Sequence, residues 1–202
     1  MSGPDALTRT GTAETARKVI HAAAGAGAAA VAWFAPPAAG RAVLVGAVLL
    51  ALLIELLRTR VPAVRRRFDA TVGHMLRPAE RRTLTGATFL AIGAAFAVLS
   101  FPGRSAAIGI LYAAFGDAAA ALVGRRFGRH VYRPGRTAEG TAAFFSVTLL
   151  IGWATMDAGF VAAAVAAAGV TLVEAAPFPL NDNLLIPLAG AAACHWVTAL
   201  PI

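Results

Sequence analysis

The chain has 202 residues, of which 58% are apolar and 14% charged, and it carries a net charge of +8. A soluble domain typically holds about 25% charged residues, and so short a chain has too little interior to hide this much apolar surface. An ordinary soluble fold is excluded, and an integral membrane protein is indicated. The cationic excess rests on 17 arginines and one lysine gathered between apolar tracts, which speaks of membrane orientation rather than of nucleic acid.

Residues 1–18 are polar and contain no compact apolar core followed by a small-residue cleavage site, so no removable signal peptide is read there. The first apolar tract, 19–35, begins with Lys18, His21 and Gly25 on one helical face. The second, 42–57, ends with Glu55, three residues before Arg58. Over 58–83, Val61, Val64, Phe68, Val72, Met75 and Leu76 recur at three- and four-residue steps, with Arg65, Arg66, Arg67, Asp69 and His74 largely opposite. That pattern predicts a basic amphipathic helix lying in the membrane interface and attracted to anionic headgroups.

The third tract is 84–100 and the fourth 105–124, with Asp117 well inside the fourth. A lone buried carboxylate needs a cation or a proton. Gly116, Ala120, Gly124 and Gly128 form a small-residue stripe suited to close helix packing, within one copy or between copies, so a homo-oligomer stays open. The arginine-rich segment 125–140 leads into the fifth tract, 141–156. The sixth, 158–176, closes with Glu174, and Asn181-Asp182-Asn183 precedes the seventh, 184–199. Cys194 has no partner for an internal disulfide, and it and His195 are read as packing residues. Asp157 is read as capping an outer turn.

These tracts are continuous, rich in Ala and Leu, and without alternation, so strands are not expected. The predicted fold is an all-α polytopic membrane bundle of about seven transmembrane helices, with the interfacial helix between spans two and three. With the N-terminus inside, segments 1–18, 58–83, 125–140 and 177–183 hold 16 of the 18 basic residues, leaving Arg41 and Arg104 outside. Trp33, Trp153 and Trp196 then fall near outer helix ends, as an aromatic belt requires. Ionisable residues inside spans are costly and commonly functional, and this topology gathers them toward the cytoplasmic face. There a helix start with hydroxyls, a Gly and a preceding Arg, as at Arg136-Thr137-Ala138-Glu139-Gly140-Thr141, offers an anion site. Nearby carboxylates able to hold Mg²⁺ between phosphate oxygens complete a polyphosphate site.

The run Gly116-Asp117-Ala118-Ala119-Ala120-Ala121-Leu122-Val123-Gly124-Arg125-Arg126-Phe127-Gly128-Arg129, followed by Arg136 to Thr141, resembles the signature of the dolichol kinase, phytol kinase and CTP-dependent diacylglycerol kinase family. Arg17-Lys18-x-x-His21, Glu55, Thr85-Gly86-Ala87-Thr88, and the stretch from Glu174 through Asn181-Asp182-Asn183-Leu184 to Pro187 resemble further landmarks in the same order. One departure is Arg136, where the family usually has Lys; the charge survives but a compact ammonium becomes a planar fork.

The resemblance implies a multi-pass enzyme, 19–202 being one membrane-embedded catalytic domain behind the polar cytoplasmic segment 1–18. It would move the terminal phosphate of CTP, with Mg²⁺ or another divalent cation, to a membrane lipid alcohol: a polyprenol, a phytol-like isoprenoid or diacylglycerol. Asp117 and Asp182 would hold the metal or act as base toward the hydroxyl, with Glu139, Glu174 and Glu55 as further acids for those roles. Arg125, Arg129, Arg136, Thr137 and Lys18 would grip phosphates, beside Gly116, Gly124, Gly128, Gly140, Thr141, Asn181 and Asn183. His21 would serve the hydroxyl or simply pack. Two other readings stay open: a phosphatidate cytidylyltransferase, which shares an Asp…Gly-Arg-x-Phe-Gly…Thr-x-Glu-Gly pattern, and a small transporter or structural bundle.

Overall fold

Proline and hydroxyl or amide caps set the helix boundaries. In the computed structural model, which describes residues 4–77, 79–81 and 83–199, the chain is helical almost throughout. Helix α1 is Pro4–Phe34, α2 Pro37–Arg60, α3 Pro62–Thr71 and α4 Gly86–Ser100. They are followed by α5 Gly103–Leu111, α6 Asp117–Phe127, α7 Ala138–Thr155, α8 Gly159–Ala175 and α9 Asp182–Thr198. Helices α2 and α3 begin on a proline, whose fixed φ and missing N–H suit the first turn. Thr85, Thr137 and Asn181 cap α4, α7 and α9 by accepting bonds from the N–H groups of Thr88, Gly140 and Asn183.

Each apolar tract read from the sequence is helical, but two helical stretches among the described residues are long and apolar enough to cross a membrane: Pro37–Arg60 and the continuous Gly103–Phe127. Gly86–Ser100 and Gly159–Ala175 are apolar and shorter. Residues 4–18 are continuous with the first helix rather than separate from it, while residues 1–3 of the predicted polar segment lie outside the described residues.

Two further expectations change in detail. The amphipathic helix predicted across 58–83 is shorter, ending at Thr71. Thr, Val and Gly in succession are weak helix formers, and Thr71 bonds back to the Arg67 carbonyl. Val72, Met75 and Leu76 therefore lie past its end, on and beside the 3₁₀ turn Gly73–Met75. The loop 125–140 also holds a small antiparallel hairpin, β1 Val131–Arg133 with β2 Arg136–Thr137. Pro134-Gly135 makes its turn, and Gly135 takes the positive φ of 77° that a side chain would resist.

The centre is α5, whose Ala106, Ala107, Ile108 and Ile110 are buried against α1, α4 and α9. A side chain at Gly109 would run into the Pro187 carbonyl and Ala191, so the missing Cβ is what lets α5 and α9 touch. At the periphery α2 is inverted. Its buried residues include the charged pair Glu55 and Arg58, while Leu49, Leu50, Leu53 and Leu56 face outward. An apolar outer face of this kind marks a surface made for lipid or a partner rather than for water.

Candidate functional site

Helix α1 supplies one wall of the site. Glu14, Arg17, Lys18 and His21 follow at three- and four-residue steps and so share a face. Opposite it, α5 passes into α6 through a π-helical stretch, Tyr112–Gly116, immediately before Asp117. The extra residue of such a turn shifts the helix face by roughly 100°; here it precedes the residue that pairs with Lys18. Lys18 Nζ also lies 3.5 Å from the Asp117 carbonyl.

Helix α6 then lies close along the start of α7. Ordinary side chains at Gly124 and Gly140 would crowd the capping Thr137 hydroxyl, at 3.0 and 3.1 Å. The small-residue stripe is thus spent on packing α6 along α7, with α7's capped N-terminus against Gly124 and Gly128. Gly116 packs against Phe144 and Thr148, and Gly128 against Thr137, so these two glycines serve packing, not the cleft wall. The hairpin places Arg136 between two acids. It pairs with Glu174, the carboxylate at the end of α8 that is only 1% exposed, and its Nη2 lies 2.6 Å from Asp182 Oδ2.

These elements enclose a cleft of about 570 Å³. Among the described residues its walls carry six cationic side chains, from Arg17, Lys18, Arg77, Arg125, Arg133 and Arg136, and four acids, Glu14, Asp117, Glu174 and Asp182. Gly124, Thr137, Gly140 and Thr141 line it from α6, β2 and α7, and Asn181 and Asn183 from the start of α9. Asp117 and Asp182, which the sequence reading required on one side, share this cleft.

Other expected residues lie elsewhere. Arg129 is exposed outside the cleft. Glu139 also stands outside it and meets His130 Nδ1 at 2.7 Å. That bond brings its carboxyl down to about 2. Glu55 is enclosed by Arg58, the Thr85 N–H and the Thr88 hydroxyl, the latter two at 2.8 Å, and with His21 it lines a second cavity of about 310 Å³.

Cleft residues that escaped the sequence reading include Glu14, Arg77 and Arg133. Glu14 binds Arg17 (Nε–Oε2 3.0 Å) and also faces Arg77 and Arg125 at 3.6 and 3.5 Å. Its hydrogen bond from Arg17 holds its carboxyl below the ordinary value. Arg133 donates to the Ala176 carbonyl at 2.7 Å. Glu14 could have been found from its position on the Arg17–Lys18–His21 face, whereas Arg77 arrives through tertiary folding alone. Burial pushes the Asp182 carboxyl up, against the pull of Arg136.

Among the described residues no three His, Cys, Asp or Glu side chains gather to hold a metal unaided. The arrangement suits Mg²⁺ in another way, since that ion is commonly held by one or two carboxylates together with substrate phosphate oxygens. Excess cations, two capped helix N-termini and accessible carboxylates form a setting for a polyphosphate.

No family model matches the chain, and no solved structure matches it. Among curated proteins a relative is 38% identical over 103 residues, a stretch covering 45% of this chain and 43% of the relative. That relative is a phytol kinase. It comes from Synechocystis sp. (strain ATCC 27184 / PCC 6803 / Kazusa), and the match extends over less than half of its length. Its name falls within the family that the Gly116–Arg129 and Arg136–Thr141 runs resemble.

Proposed function

We propose that this chain is a membrane lipid kinase that transfers the terminal phosphate of CTP to the hydroxyl of a lipid alcohol. The observation that carries the reading is the cationic cleft holding Asp117 and Asp182, set beside an apolar cavity. The partial similarity to a phytol kinase supports the same chemistry. In this reading the helices form a bundle of about seven spans, with the cleft and the N-terminus on the cytoplasmic side.

Arg125, Arg136, Lys18 and the capped start of α7 bind the triphosphate, displacing part of the internal pairing that Glu14, Glu174 and Asp182 now provide. Asp182 would hold Mg²⁺ together with phosphate oxygens, and the ion would neutralise charge on the transferring group. The lipid hydroxyl oxygen forms the new bond to the terminal phosphorus, and its proton passes to the Asp117 carboxylate. The bond from that phosphorus to the bridging oxygen breaks, and the nucleoside diphosphate leaves. Positioning and charge neutralisation dominate such transfers. Glu55, locked to Arg58, serves to position rather than to react, and Glu174 holds Arg136 until the phosphate takes its place.

A labelled γ-phosphate transfer assay in detergent tests the reading, with CTP, ATP, GTP and UTP against phytol, a polyprenol and diacylglycerol. Lipid phosphate plus CDP is the expected product pair. Pyrophosphate with a CDP-lipid would replace the kinase with a cytidylyltransferase, and no product in any combination would overturn enzymatic transfer.

A further inference from the structure

The second cavity, of about 310 Å³, lies between α1, α2, α3 and the start of α4. Its walls are apolar, built from residues such as Ile20, Ala24, Ala51, Ile54, Phe68 and Met75. The polar groups that reach it are mostly engaged. Arg17 is held by Glu14, Glu55 by Arg58, Thr85 and Thr88, and Glu80 by the N–H groups of Arg77 and Gly86. His21 differs. It is 8% exposed, and its Nε2 is buried with no hydrogen-bond partner among the described residues. An unanswered buried polar atom is costly, so it marks a place where a ligand group is wanted.

Helix α1 joins the two cavities, with His21 on the apolar one. Lys18, one turn earlier on α1, and Asp117 line the cationic cleft. Arg17 lines both cavities. On the outer side, Ile20 and Ile54 are 56% and 39% exposed, so the apolar cavity opens onto the outward-facing leucines of α2.

We propose that the cavity between α1, α2 and α4 is the acceptor site, binding one single-chain lipid alcohol with its hydroxyl on His21 Nε2 and its chain leaving past Ile20 and Ile54 along α2. The inference rests on the kinase reading for its purpose but is a statement about binding. A volume of about 310 Å³ is at the small end of ligand pockets. It accommodates the proximal part of one branched chain and not a glycerol with two acyl chains. A water-soluble alcohol would leave the apolar wall unused, and a peptide would bring backbone groups that this wall cannot answer.

The test is photolabelling with a diazirine analogue of phytol, mapped on the purified full chain in detergent. Label is expected on peptides of α1, α2 and α4 that line the cavity, competed by phytol and not by diacylglycerol. Ala51→Phe, which fills the cavity, is expected to cut labelling and raise the KM for phytol by about tenfold, with CTP binding by equilibrium dialysis unchanged. His21→Ala should weaken labelling, and His21→Asn should restore part of it. Label on other helices, competition by diacylglycerol equal to that by phytol, or undiminished labelling of Ala51→Phe would overturn the proposal. Should Ala51→Phe fail to fold, the map on the unaltered chain still decides. Should no nucleotide phosphorylate any lipid, the labelling pattern still reads the acceptor site separately from the kinase reading.

Discussion

Two arginines each hold a buried glutamate at the same end of the helical bundle, and their surroundings differ. Arg58 and Glu55 form a closed knot. Glu55 is answered by Arg58, Thr85 and Thr88, while Arg58 also donates to the Glu80 and Thr83 carbonyls at 2.9 and 2.6 Å. Arg136 and Glu174 form an open one, because the same guanidinium also reaches Asp182, whose side chain is 41% exposed on the cleft. A closed knot fastens the segment of Glu80 and Thr83 to α2 and leaves these charges fully engaged. An open knot holds its charges in partners that a phosphate or a metal can replace.

The largest expected effect lies on the open side. Asp117→Asn should lower phosphoryl transfer by about a hundred- to ten-thousandfold in the molecules that stay folded; single-turnover rates on purified, folded protein check this, and unchanged turnover would remove Asp117 from the chemistry. Next comes the closed knot. Glu55→Gln should cost about 3–5 kcal/mol of stability, because Arg58 would be left as a buried unpaired charge, with kcat retained in the molecules that stay folded. Thermal unfolding in detergent beside kcat separates the two; a selective loss of kcat would break the contrast.

Arg136→Lys sharpens the comparison from the other side. A point charge cannot span both Glu174 and Asp182 as a planar fork does, so KM for nucleotide should rise by about tenfold with little change in unfolding temperature. The smallest effect concerns Glu14. Because Arg17 holds its carboxyl below the ordinary 4.5, its ionised form stabilises the folded protein. That contribution is complete above pH 4.5 and is lost as pH falls through the lowered value. The stability gap between the parent and Glu14→Gln should therefore be constant near neutrality and close in acid, as pH-dependent unfolding curves would show.

The helices were legible because the apolar tracts are long and uniform, and because proline, threonine and asparagine stand at their starts. The hairpin was not, since five strand residues leave little pattern beyond Pro134-Gly135. The π-helical turn was hidden too, as Tyr-Ala-Ala-Phe-Gly reads locally as ordinary helix. That Asp117 and Asp182 face one cleft followed from helix alternation. The difference between Glu55 and Glu174 did not, because both are acids near an arginine at a helix end, and only the folded partners distinguish enclosure from access. Glu14 and Arg77 lay in segments whose charge had been fully accounted for by topology.

Gly25 sets a limit on how this machinery can vary. A methyl group there would sit 2.5 Å from the Ala114 side chain in the π-helical turn, so α1 rests directly on the irregular stretch that carries Asp117. Any bulk added at this contact would lever α1 outward and move Lys18 and His21 together, loosening the cationic cleft and the apolar cavity in one displacement. A single hydrogen atom in place of a side chain thus fixes the spacing between the two compartments.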